Sequence, residues 1–305
     1  QDPVMAIGTD SIELCACLDS EDACSGGEDA VDDRSSGVAD GGAERGLRSV
    51  SEGRRVLDLC TGSGIAALWA ARCGASEVIA VDISARACSF ARANAELNAL
   101  RIDVRQGDLY DALDETSRHA MDLILANPPF VAAPSDESRV PTLYVDGGAD
   151  GLAVTSRILR GASDFVVPEG GACVVVAEFP NASAASAGSP SSWSRRLSPI
   201  PGACDVALVC AEAHTQSARE YAVDRAGEAT PACELWRSSL AAHGVLDMTS
   251  GLLVARISPG LDGEGVFRLV PWEADDADES WTAEAQRSRG WRIVRSEVFA
   301  ACGKK

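Results

Sequence analysis

The chain has 305 residues, 46% of them hydrophobic, and a mean hydropathy of zero, which is enough apolar material for a sizeable core in a globular protein. Forty-six acidic against 27 basic residues give a net charge of −19, opposite to the positive footprint that phosphate backbones require, so nucleic acid is disfavoured as a partner. No run approaches the roughly 18 uninterrupted apolar residues of a membrane span, and residues 1–10 lack the basic-then-apolar pattern of a signal peptide, so the expectation is a cytoplasmic protein with no membrane partner.

Opening on Gln1, the sequence is consistent with a processed or excised piece. Its eleven cysteines include no C-x-x-C pair and are read as buried thiols, with no metal site; Cys15, Cys17 and Cys24, the one cluster, are read as packing. Residues 4–18, VMAIGTDSIELCACL, form a turn leading into a short apolar helix that either packs on a sheet edge or lies over a cofactor pocket. Residues 19–53 interleave Glu21, Asp22, Glu28, Asp29, Asp32 and Asp33 with Ser and Gly, and read as a flexible acidic insertion with nothing to offset its ordering entropy.

From residue 54 a regular alternation begins. Val56, Leu57 and Leu59 make a buried strand, Cys60-Thr61-Gly62-Ser63-Gly64 a glycine turn, and Ile65, Leu68, Trp69 and Arg72 a helical face. A second strand, 78–81, ends on Asp82, and Ser84 caps a helix bearing Cys88, Ala91 and Ala95. A third, 102–104, leads to Gly107-Asp108-Leu109, and a fourth, 123–126, delivers Asn127-Pro128-Pro129-Phe130. A helix at 152–165, strands at 172–179 and 206–210, a helix capped by Thr230 with Pro231 at its first position, and a strand at 252–257 complete the pattern. Residues 182–192 read as a loop or a weak helix, 266–270 and 291–294 as further strand candidates, and 273–279 as an acidic loop. Such repeated β-α-β connections predict an α/β fold, a Rossmann-like seven-stranded, doubly wound and mostly parallel sheet, in a domain over 54–259 with an extension at 260–305.

Ligand crevices in such sheets lie at the carboxyl ends of the strands. There, the Asn127 side-chain oxygen and the Pro128 carbonyl can accept hydrogen bonds from an NH2 group while Phe130 covers its planar face, although a strand followed by a Pro-rich turn gives the same text. Gly62-Ser63-Gly64 is short of the G-x-G-x-x-G pyrophosphate fingerprint, which suits a cofactor with ribose but no phosphate; Asp82 is placed for ribose hydroxyls and Asp108 for an adenine amine. No general base stands out, since His119, His214 and His243 fall outside the motifs.

In order and spacing, VLDLCTGSGIAAL, VIAVDIS, GDLY and LILANPPF resemble the class I S-adenosylmethionine-dependent methyltransferases of the N-P-P-[YF] branch, and VDGGADGLAVTSRIL is similar to the segment that follows the motif in protein-glutamine N5-methyltransferases. The resemblance implies S-adenosyl-L-methionine held by Asp58, Thr61, Gly62, Gly64, Asp82, Ile83, Asp108, Leu109 and Asn127, and an acceptor nitrogen met by Asn127, Pro128, Pro129 and Phe130. Asp58 either assists at the methionine end or only holds the glycine turn. A release factor or ribosomal protein is the implied substrate. Phe130 stands where glutamine methyltransferases carry Tyr, which keeps an exocyclic amine of RNA or DNA as the alternative, with Arg86, Arg92, Arg139, Arg157 and Arg160 as its candidate basic patch; a cofactor-binding accessory subunit is a third reading.

Overall fold

The computed structural model describes residues 49–134, 143–260 and 265–271, together with Ser11, Leu14, Cys15 and Val298. Most of the acidic stretch, Cys17, Cys24, Arg139, the acidic run at 273–279 and the strand expected at 291–294 lie outside the described residues.

Among the described residues eight strands form one sheet: β1 (Arg55–Leu59), β2 (Glu77–Asp82), β3 (Asp103–Gln106), β4 (Leu123–Ala126), β5 (Gly171–Pro180), β6 (Ala203–Ser217), β7 (Asp247–Ile257) and β8 (Val266–Pro271), in the order β3-β2-β1-β4-β5-β7-β6-β8. The expected seven strands are all present, and β8 extends the sheet parallel to β6. β3, β2, β1, β4 and β5 pair in parallel, whereas β7 runs antiparallel to both β5 and β6.

Side-chain alternation splits the apolar residues between the two faces. Leu57, Leu59, Ile124, Ala126, Cys173 and Val175 enter one core, under α3 (Ala153–Gly161) and α4 (Trp193–Leu197). Val56, Leu123, Leu125, Val174 and Val176 enter the other, against the small residues Ala66, Ala67 and Ala70 of α1 (Ile65–Arg72) and Cys88 and Ala91 of α2 (Ala85–Leu97). Ser84 caps α2 as expected, accepting from the Ala87 N–H at 3.3 Å.

Several expectations are corrected. The third strand begins at Asp103 and runs to Gln106, and the helix expected to reach 165 leaves α-geometry after Gly161. The expected solvated stretch ends earlier than residue 53: Ser49, Val50 and Ser51 are buried, Glu52 and Gly53 are exposed, and the buried Arg54 guanidinium donates to the Val50 carbonyl. β6 is far longer than 206–210, and it feeds an additional helix, α5 (Ala218–Ala226), before α6 (Pro231–Ala242). α5 and α6 form a hairpin whose apolar residues Tyr221, Ala222, Cys233 and Leu240 close a third, smaller core over Val131 and Ala132. Among the described residues no helix is long and apolar enough to cross a membrane.

Candidate active site

The strand order reverses between β1 and its neighbours β2 and β4, so the β1 and β4 carboxyl ends flank the switch point of the sheet, where a crevice opens. The glycine turn leaves β1 with left-handed backbone at Cys60, Gly62 and Gly64 (φ 59°, 56° and 87°). A side chain on Gly64 would put its Cβ 3.0 Å from that of Ala91, so glycine is what lets the turn sit down on α2. The turn is tied to β2 through Asp82, whose carboxylate accepts from the Gly62 N–H at 2.8 Å and the Ser84 N–H at 2.9 Å. Burial raises the Asp82 pKa, and those two backbone bonds oppose the rise.

A cavity of about 520 Å³ opens beside this turn, within the range of small-molecule sites. Its wall includes Gly62, Asp82, Ile83, Asp108, Leu109 and Asn127, six of the residues expected to hold the cofactor, and Pro129, one of those expected to meet the acceptor. Asp58 and Thr61 instead border a second space of about 40 Å³, between the glycine turn, Asn127 and Ser11. Asp58 is 2% exposed; one of its oxygens, Oδ2, accepts from both the Thr61 hydroxyl and the Ala67 N–H, and burial pushes its pKa up to about 7. Cys60 lies between the two spaces, and burial followed by the charge of Asp82 drives its thiol pKa up, so that it is a neutral wall.

The Asn127-Pro128-Pro129-Phe130 motif is held by backbone on its far side. The Val131 N–H donates to the Val145 carbonyl at 2.9 Å, the Gly147 N–H to the Val131 carbonyl at 3.0 Å, and the Ala133 N–H to the Gly148 carbonyl at 2.9 Å. A Cβ on Gly147 would stand 2.7 Å from the Phe130 Cα, and one on Gly151, at φ 80°, 2.4 Å from the Phe130 carbonyl oxygen. The GGADG run is therefore a close backbone clamp on the motif. Asn127 Nδ2 donates to the Ser11 hydroxyl at 3.0 Å, so Ser11 reaches the site, while Leu14 and Cys15 pack into the second core.

Residues 35–186 match the family model of the methyltransferase small domain. The chain contains a methyltransferase small domain. The ribosomal protein uL3 glutamine methyltransferase of Bradyrhizobium diazoefficiens is 43% identical over 126 residues, 38% of this chain and 39% of that protein. Its counterpart in Bordetella pertussis is 36% identical over 142 residues, 44% of this chain and 47% of that protein. The release factor glutamine methyltransferase of Bordetella pertussis is 41% identical over 123 residues, 38% of this chain and 45% of that protein. The chain thus spans less than half the length of these curated relatives.

Within the methyltransferase domain two expected roles meet a different geometry. Asp108 reaches the cavity, but its carboxylate is paired with Arg157 at 2.9 Å. Phe130 is half-buried against the first and third cores, and Pro128 is buried, whereas Leu143 and Tyr144 supply the aliphatic and aromatic wall near Pro129. Leu143 and Tyr144 are not singled out by the sequence, where their only signal is nearness to the motif in the chain, since no periodicity marks a loop residue; Arg157, expected only in a basic patch, instead reaches Asp108 from α3. None of the three histidines lines the cavity, and no cluster of metal-ligating side chains occurs among the described residues.

Proposed function

We propose that this chain is an S-adenosylmethionine-dependent N-methyltransferase acting on a glutamine side chain of a protein, of the release-factor or ribosomal-protein kind. The observation that carries the reading is the position of Asn127 and Pro129: they stand on the cavity wall at the β4 carboxyl end, with the motif backbone clamped by the GGADG loop that also follows it in sequence. The glutamine methyltransferases that resemble the chain at 36–43% identity support the same acceptor.

The residues present fit the donor. A cradle with glycine at φ 56° and 87°, a carboxylate at the β2 end and apolar walls from Ile83, Leu109 and Val154 suit a nucleoside with no phosphate. When bound, S-adenosylmethionine supplies an electrophilic methyl group on a sulfonium. Asp82 is in place for the ribose hydroxyls while still ordering the glycine turn, and Asp58 faces the smaller space on the side of Asn127. For the acceptor, the Asn127 oxygen and the Pro128 carbonyl take the two hydrogens of the amide NH2, which favours a more pyramidal and nucleophilic nitrogen. Most of the rate then comes from orientation.

A nucleobase amine gains little at this site. Arg92 donates to the Val104 carbonyl, Arg157 pairs with Asp108, and the Phe130 ring packs against the cores. The reading implies a cytoplasmic enzyme with a protein partner. Methyl-labelled S-adenosylmethionine, the chain, and separate pools of ribosomal proteins, release factors and RNA provide the test. Label in a protein band, released as methylglutamine, is expected; label confined to RNA overturns the assignment.

A further inference from the structure

The α5–α6 hairpin lies outside the family-matched residues 35–186 and packs on the stretch that follows the acceptor motif. In that stretch the backbone donors alternate: Val131 and Ala133 turn their N–H groups to the 143–151 loop, and Ala132 turns its own the other way. That donor meets the hydroxyl of Tyr221, the α5 residue buried to 0% exposure, at 3.2 Å. The hydroxyl in turn donates to Glu178 Oε2 on β5, and Glu178 Oε1 accepts from Arg225 at 2.6 Å, while the Arg225 guanidinium lies 4.8 Å over the Tyr221 ring. Burial, and then the charge of Glu178, raise the Tyr221 pKa, so the hydroxyl keeps its proton and its direction as donor.

A carboxylate at 8% exposure costs desolvation that an apolar side chain would avoid, so such a pair is weak evidence of stabilisation and is better explained by the geometry it fixes. What it fixes is one hydroxyl on one amide, two residues past Phe130. We propose that Tyr221, oriented by Glu178 and Arg225, is a positioning residue that sets the acceptor-binding loop 127–132 from its second side. The proposal rests on the amide-methyltransferase reading above. With the GGADG loop holding one edge and Tyr221 the other, the motif has no free slide along β4, and the helical hairpin becomes part of the acceptor side of the enzyme.

Tyr221→Phe keeps the ring and removes only the hydroxyl, leaving a buried N–H without its acceptor. In the full chain, the variant is expected to lower kcat/KM for a glutamine-bearing substrate protein by roughly tenfold or more, to leave the donor Kd within about twofold, and to speed amide exchange at residues 131–133. Leu240→Ala, in the same small core but outside the network, is the control for plain destabilisation; assayed well below its melting temperature it should keep kcat/KM and the exchange of 131–133. Wild-type kinetics and exchange in Tyr221→Phe, or an equal kinetic loss in Leu240→Ala, would overturn the proposal. A wild-type chain that methylates no protein refutes the activity reading instead, and the exchange of 131–133 in the two variants then decides the positioning role by itself.

Discussion

Asp58→Asn separates the electrostatics of the glycine turn from its shape. Both bonds at Asp58 converge on Oδ2, from the Thr61 hydroxyl and from the Ala67 N–H at 3.0 Å, so an amide oxygen in the same place keeps both, and only the charge is lost. The native pKa is raised from 3.8 to about 7, chiefly by burial. The folded state therefore binds this proton more tightly than the unfolded chain. Its contribution to stability is complete below about pH 4 and is lost as pH climbs through about 7. Three units at about 1.4 kcal/mol each set a ceiling of about 4 kcal/mol. Urea unfolding of wild type and Asp58→Asn between about pH 5 and 8 should show the variant gaining on wild type by about 1.4 kcal/mol per pH unit, then holding a constant lead above about pH 7.5. A gap independent of pH would refute the reasoning, because it would mean that Asp58 titrates alike in both states. The variant should also bind the donor more weakly, since Asp58 borders the space beside Asn127.

Asp82→Ala removes the carboxylate proposed for the ribose and the two backbone bonds that order the turn; calorimetry should show donor affinity reduced by roughly 1.5–3 kcal/mol, about ten- to hundredfold. Gly151→Ala forces a Cβ to within 2.4 Å of the Phe130 carbonyl at a φ of 80°, so the motif must shift; methyl transfer should fall at least tenfold with donor affinity nearly unchanged, as read by paired kinetics and calorimetry. Gly64→Ala meets Ala91 at 3.0 Å and is strained at φ 87°, and it should lower stability by about 1–3 kcal/mol in chemical denaturation, with donor affinity falling alongside.

The part of the fold that was legible came from short-range rules. Short apolar runs through Val56 to Leu59 and Leu123 to Ala126 located strands that send successive side chains into opposite cores, and Ser84 and Thr230 marked helix starts that the structure shows capped. The glycine turn and Asp82 were placed in register with each other because their contact, Gly62 to Asp82, follows from a single β-α-β unit. α5 was missed despite a readable mark: Ser217 and Glu220 form a reciprocal capping box, an S-x-x-E that precedes Tyr221 and Ala222. The length of β6 was hidden because its polar end, Thr215 to Ser217, is ordered by pairing with β7, which sequence alternation does not report. Val50 was lost for a similar reason, as a single apolar residue at the end of an acidic stretch that burial nevertheless takes up. Contacts such as Ala132 with Tyr221 or Glu178 with Arg225 join residues more than forty positions apart, and no local pattern encodes them.

The proposed role of the β4 end as an amide-methylating site is tested most directly by mass spectrometry of a ribosomal protein or release factor incubated with S-adenosylmethionine and either the wild-type chain or Asn127→Ala. The account predicts one added methyl group on a single glutamine with wild type, and none with Asn127→Ala although that variant still binds the donor within a few-fold. Equal methylation by both proteins, or a methyl group found only on RNA nucleosides, would contradict it.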